Sequence, residues 1–196
     1  MMFDSKRLIV ALIIMTFLSV AFCSYAGPYI QNANAQNNTS AKTNTTASTD
    51  YRQYSNSTLG IKIEVPADWL YKEVNNTAVT FVSAPNNTNH AVVVVDIEKV
   101  PTGMSLGTFT QGTLKDLQQN IASFHLITSN SITLSNQIVF TSLSAVGGHD
   151  LREGVVIWMI KDNKAYIITY RAEPGLGSFT TQFPIVSHMI KSFQVS

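Results

Sequence analysis

The chain has 196 residues, with 13 basic against 12 acidic side chains and a charged fraction of 13%. That length allows one domain with tails, and the balance of charge excludes a basic nucleic-acid-binding stripe or an acidic, cation-sequestering tail. A single cysteine, Cys23, excludes a disulfide framework inside the domain.

The N-terminus carries the clearest signal. Lys6 and Arg7 precede the apolar run Leu8–Phe22, which is interrupted only by Thr16 and Ser19. A basic segment followed by an apolar core of this length is the pattern of a secretory signal. Ser24-Tyr25-Ala26 and Ala33-Asn34-Ala35 both offer small residues at the recognition positions, and the second is preferred because Gln36 opens a polar stretch. An uncleaved anchor is the competing reading, since Leu8 to Ile30 is long enough to span a bilayer. Either way, the basic residues hold the N-terminus inside, and the C-terminal remainder of the chain is exported. Phe22 is too bulky for the position before a lipid-anchored cysteine, so Cys23 reads as an ordinary member of the apolar run. Removal of residues 1–35 takes Asp4, Lys6 and Arg7 with it and leaves a formal charge of zero.

Residues 36–50 are almost wholly Asn, Thr, Ser and Ala. Such a segment buries too little apolar surface to offset its ordering entropy and is expected to be a disordered linker. Acceptor sites for N-glycosylation occur at Asn37, Asn38, Asn44, Asn56, Asn75 and Asn86, each reading Asn-x-Ser/Thr without proline. The last three fall at expected loops of the folded part, residues 51–196.

Within that part, Ile61, Ile63 and Val65 alternate with Lys62 and Glu64, which predicts a strand with one wet face ending at Pro66-Ala67-Asp68. Ala78–Ser83 and Ala91–Val100 read as further strands, separated by the loop Pro85–Asn89 and closed by Pro101-Thr102-Gly103. Asp96 and Glu98 share one face of their strand and read as a solvated edge, the alternative being paired carboxylates for glycoside hydrolysis. Ser105 is the expected N-cap of an amphipathic helix carrying Leu106, Phe109, Thr113, Leu117 and Ile121. Gly107 and Gly112 weaken that helix, so packing on a sheet must supply most of its stability.

Strands are expected at Phe124–Thr133 and Ile138–Ala145, followed by a turn at Gly147-Gly148. Val155–Ile160 is continuously apolar, the pattern of a strand covered on both faces. Asp162-Asn163 predicts a tight hairpin to Ala165–Ala172, on which Tyr166, Ile168 and Tyr170 share a face. In Ser178–Phe193, Phe179, Phe183, Val186, Ile190 and Phe193 follow helical spacing. Pro184 conflicts with an interior position, which moves the expected helix start to just before it. Strands, a helix, strands and a helix give an α+β domain, with a mainly antiparallel central sheet flanked by helices.

Signatures of catalysis are absent from the sequence. No serine lies in a Gly-x-Ser-x-Gly elbow, and Gly175-Leu176-Gly177 lacks the context of a phosphate-binding loop. His149, Asp150 and Glu153, beside Gly147-Gly148, form the one local cluster with ligand chemistry. One imidazole and two carboxylates on a loop suit calcium, manganese or zinc with water completing the shell; a solvated turn is the competing reading. Of the other histidines, His90 and His188 are expected at the surface and His125 partly buried. Trp69, Trp158, Tyr166 and Tyr170 read as core aromatics, the alternative being a ligand groove.

Several segments carry a family resemblance. Tyr54, Gly60-Ile61-Lys62-Ile63 and Pro66-Ala67-Asp68-Trp69 resemble the opening strand and turn of PsbP-like domains. Trp158, Lys161-Asp162-Asn163-Lys164-Ala165-Tyr166 and Ile168-Thr169-Tyr170 resemble their closing hairpin. Ala172-Glu173-Pro174 and Met189-Ile190-Lys191-Ser192-Phe193 are similar to their final helix. The resemblance spans Tyr51 to Val195, and the export segment with its Asn/Thr linker is similar to exported archaeal members. It implies an α/β/α sandwich. In the oxygen-evolving branch it implies non-enzymatic subunits that dock on a membrane complex and help retain calcium, chloride and manganese. This chain lacks a strongly basic N-terminal docking segment. What carries over is an exported, non-enzymatic accessory module, without a confident cofactor, binding a protein or envelope partner at the outer surface of the cytoplasmic membrane. The alternative is a metal-binding or metal-delivery domain built on His149, Asp150 and Glu153.

Overall fold

The computed structural model describes residues 50–84, 90–121, 123–134, 138–147, 152–172 and 178–196, with the main chain alone for 132–134, 138–147, 152, 153 and 178. In chain order the elements are β1 (Tyr51–Asn56), β2 (Ile61–Pro66), β3 (Leu70–Val74), β4 (Ala78–Val82), β5 (Ala91–Lys99), α1 (Leu106–Asn120), β6 (His125–Leu134), β7 (Ile138–Gly147), β8 (Arg152–Lys161), β9 (Lys164–Ala172), α2 (Ser178–Ser192) and β10 (Gln194–Val195). The strands form the expected central sheet, seven-stranded and ordered β3-β4-β5-β9-β8-β7-β6, together with a second, three-stranded sheet ordered β1-β2-β10. Every described pairing is antiparallel. The second sheet escapes a local reading because β10 has two residues and pairs with β2 from the far end of the chain, Gln194 opposite Lys62 and Val195 opposite Ile61.

Side chains alternate across the large sheet, so its two faces serve two cores. On one face Val79, Phe81, Val93, Val95, Val155, Ile157, Met159, Tyr166, Ile168 and Tyr170 meet Ile61, Ile63 and Val65 of the small sheet and Val186, Met189, Ile190 and Phe193 of α2. On the other, Val156, Trp158, Ala165 and Ile167 meet Phe109 and Leu117 of α1. The strand expected to be covered on both faces is β8, whose residues alternate between these cores. The result is a three-layer sandwich, α1 on one side and α2 with the small sheet on the other.

Local signals act as expected. The Ser105 hydroxyl accepts from Thr108 N at 3.0 Å and caps α1. Asp162 and Asn163 both take left-handed φ, 51° and 56°, as a two-residue hairpin turn demands. Gly60 (φ 70°) closes the β1–β2 turn and accepts from Ser196 N at 3.0 Å, tying that turn to the C-terminus. Pro184 does not start α2: the helix begins at Ser178 and the proline lies inside it. Tertiary contacts outweigh the local cost of about 3 kcal/mol. Phe179 stacks on Tyr170 with centroids 5.0 Å apart and on Phe183 at 5.7 Å, and the Tyr170 hydroxyl donates to Phe179 O at 2.9 Å.

Candidate functional site

Of the expected metal ligands, His149 and Asp150 lie outside the described residues. Glu153 is known by its main chain, in β8 opposite Val146. Among the described residues no group of three or more His, Cys, Asp or Glu side chains is arranged to hold a metal. Asn37, Asn38, Asn44 and Asn86 also lie outside them. Asn75 is exposed in the β3–β4 turn with φ 47°. Asn56 is half-buried, and its amide already has two partners: Oδ1 accepts from Leu59 N at 2.9 Å and Nδ2 donates to the Tyr54 hydroxyl at 3.2 Å. A glycan on that nitrogen has to compete with the second bond.

The four aromatics weighed as a groove are all buried in the two cores. Trp158 Nε1 donates to Thr110 Oγ1 at 2.8 Å, which satisfies the one polar group that its burial takes out of water.

Among the described residues two constellations carry chemistry. The first joins β1, β2 and α2 at the surface. His188 Nε2 and Glu64 Oε2 are 2.6 Å apart, with their side chains 43% and 45% exposed. The Tyr51 ring stacks on the imidazole at a centroid distance of 3.9 Å. Ser192 lies one turn beyond His188, and its Oγ accepts from Glu64 N at 2.9 Å while donating to Met189 O at 2.8 Å. Serine, histidine and glutamate therefore cluster without forming a nucleophilic relay, because the Ser192 proton is committed to a main-chain carbonyl and not to the imidazole. The cluster fastens α2 to β2. His188 is at the surface as expected; its carboxylate partner, 124 positions away in sequence, has no local signature.

The second constellation is Asp96 with Glu98 on β5. The expectation of a solvated edge fails: β5 is flanked on both sides by β4 and β9, and Asp96 is only 4% exposed. Burial pushes Asp96 from 3.8 up to about 7. Burial first, and then the neighbouring Asp96, push Glu98 from 4.5 up to about 8. Among the described residues the buried Glu98 Oε1 has no hydrogen-bond partner, an arrangement a neutral carboxyl tolerates far better than a carboxylate. Carboxyls that titrate near neutrality are the chemistry of general acids. Asp96, however, is buried, and its neighbour Glu98 is only partly exposed. The usable hint in the sequence was the valine run Val92–Val95 before it, which is the composition of a strand covered on both faces.

Other polar side chains also serve structure. Arg52 donates to Trp69 O at 2.6 Å and lies over the Tyr71 ring at 5.7 Å. The Tyr54 hydroxyl donates to Glu73 Oε1 at 2.6 Å, and burial together with that bond raises the phenol well above its ordinary value. His125, expected to be partly buried, is exposed at the start of β6, because that strand is the outermost of its sheet.

The order of elements and the three-layer packing agree with the resemblance drawn from the hairpin and the final helix, and the family model of the PsbP-like proteins matches residues 8–195. The chain belongs to the PsbP-like family. Among solved structures, the PsbP-like chain is similar to cyanobacterial PsbP (CyanoP) from Synechocystis sp. PCC 6803, at 16% identity and TM-score 0.55, covering 80% of this chain and 98% of that one. It is also similar to PA94 from Pseudomonas aeruginosa, described as a protein of unknown function and putative regulator, at 12% identity and TM-score 0.53, covering 72% and 94% of the two chains. At these identities the likeness shows a shared fold. A search of curated proteins found no significant match. No helix among the described residues of this PsbP-like chain is long and apolar enough to cross a membrane.

Proposed function

We propose that this protein is a non-enzymatic accessory module that docks on a membrane complex or on the cell envelope, outside the cytoplasmic membrane. The family match over residues 8–195 carries the reading. Support comes from the use of the described titratable groups: Glu64 with His188 fastens a helix, Glu73 holds Tyr54, and Asp96 is buried. A nearly neutral chain is a weak electrostatic steerer and suits docking on another surface better than capture of a charged polymer. The test is cross-linking in intact envelopes of the host, followed by native mass spectrometry of the full chain. A defined complex with a membrane-associated subunit is the expected result. A bare chain after cross-linking overturns the docking reading.

The second reading is a metal-binding domain using His149, Asp150 and Glu153. It is supported by the register of the β7–β8 pair, in which Glu153 stands opposite Val146 and Arg152 opposite Gly147. Glu153 is thus near the strand end from which the connection bearing His149 and Asp150 departs. His149→Ala is expected to remove bound calcium, manganese or zinc and leave the circular dichroism spectrum unchanged. Equal metal content in variant and parent eliminates this reading.

A further inference from the structure

The two outer strands of the large sheet differ in kind. β3 presents Lys72 and Glu73 along its short length, the usual protection of an edge against pairing with another chain. At the opposite edge, β6 has ten residues, His125–Leu134, and none is charged or proline. No Asp, Glu, Lys or Arg occurs anywhere from Leu117 to His149. Residues Ile127–Ser131 are exposed, and Ile127, at 51%, is the most exposed large apolar side chain among the described residues. Among the described residues no strand pairs with the outer side of β6, and a long uncharged strand with such a row of main-chain donors and acceptors is a template for another strand.

The sequence of β6 says which strand fits. Leu126-Ile127-Thr128-Ser129-Asn130-Ser131-Ile132-Thr133-Leu134 reads nearly the same in both directions about Asn130. Set antiparallel to itself, it brings Leu126 opposite Leu134, Thr128 opposite Ile132, Ser129 opposite Ser131 and Asn130 opposite its own copy. A two-fold interface requires this reciprocity, since residue i facing j implies j facing i. Each pair joins side chains of matched kind: two leucines, two β-branched residues, two serines. At the axis stand two amides, each both donor and acceptor. The one irregularity of the strand, the register shift between Leu126 and Thr128 against β7, lies outside the span Thr128–Ile132 around that axis.

We propose that two copies of this chain pair edge to edge through β6, antiparallel about a two-fold axis at Asn130, joining their seven-stranded sheets into one continuous sheet. The inference rests on β6 alone and stands or falls separately from the accessory reading above.

Cysteine pairing tests the register, using the full chain with Cys23→Ser as background. Directly opposite residues in antiparallel strands have Cα atoms about 4.5–5.5 Å apart, inside the range that a disulfide bridges. Asn130→Cys is therefore expected to yield a linked dimer under mild oxidation. Thr128→Cys alone is expected to yield none, because the two copies of position 128 are offset by four residues, roughly 13 Å. Mixing Thr128→Cys with Ile132→Cys chains is expected to restore linkage. Gln111→Cys, exposed on α1, serves as the collision control. No link at Asn130→Cys, equal linking at Gln111→Cys, or linkage of the Asn130→Cys chain to a different protein overturns the proposal. In sedimentation equilibrium, Asn130→Lys brings two like charges together at the axis and is expected to weaken dimerisation about tenfold or more. An unchanged association constant overturns the proposal as well.

Discussion

Asp96 shows what one side chain contributes once its surroundings are known. Its carboxyl titrates at about 7 in the folded protein against 3.8 ordinarily. Between those values the folded state holds a proton that the unfolded state has released, so stability is fully present below about pH 4 and falls as pH rises toward 7. Glu98 extends the fall to about pH 8. At about 1.4 kcal/mol per pH unit, the Asp96 effect is on the order of 4 kcal/mol. Asp96→Asn, which mimics the neutral acid, is expected to match the parent in urea unfolding at pH 4 and to exceed it by several kcal/mol at pH 8. Equal stability at pH 8 would show that the carboxyl ionises without cost. The sequence disclosed the shared face of Asp96 and Glu98 but not their burial, which depends on the strands flanking β5.

At the scale of elements, α1 and α2 differ in how much of them was written locally. α1 starts where Ser105 caps it and buries Phe109, Thr113 and Leu117, the residues its spacing selects. α2 extends through Pro184 against local preference. Its first turns are held by the stack of Tyr170, Phe179 and Phe183, and its end by the pairing of His188 with Glu64. Pro184→Ala restores a backbone donor at an exposed position and is expected to stabilise the protein by about 1–2 kcal/mol, after allowance for the extra freedom of the unfolded chain. The check is the denaturation midpoint; a fall would show that the fixed proline φ guides the aromatic stack. Thr110→Val strips the buried Trp158 Nε1 of its acceptor, at a bond that is itself only partly buried, and is expected to cost about 1–3 kcal/mol in the same measurement.

At the scale of the whole molecule, the two cores share the strands β8 and β9, each of which sends alternate residues to either side. Neither core can be lost while the other keeps its strands intact, which predicts one cooperative transition. Trp69 reports on the core under α2 and Trp158 on the core under α1. Single-tryptophan variants, Trp69→Phe and Trp158→Phe, are expected to show fluorescence transitions coincident with circular dichroism for each variant. Separate midpoints for the fluorescent and helical signals would reveal two independently melting layers.

The sequence by itself determined what short-range physics controls: the strand periodicities, the Ser105 cap, the Asp162-Asn163 turn, the doubly covered Val155–Ile160 run and the PsbP-like character. Each of these depends on residues within a few positions of one another. Tertiary structure alone decided the rest. It set the three-stranded sheet that joins Lys62 to Gln194, the burial of Asp96, the passage of α2 through Pro184, and the position of β6 at the open edge. Those outcomes arise from contacts between residues far apart in the chain, whose energies exceed local preferences and leave no periodic trace in the sequence.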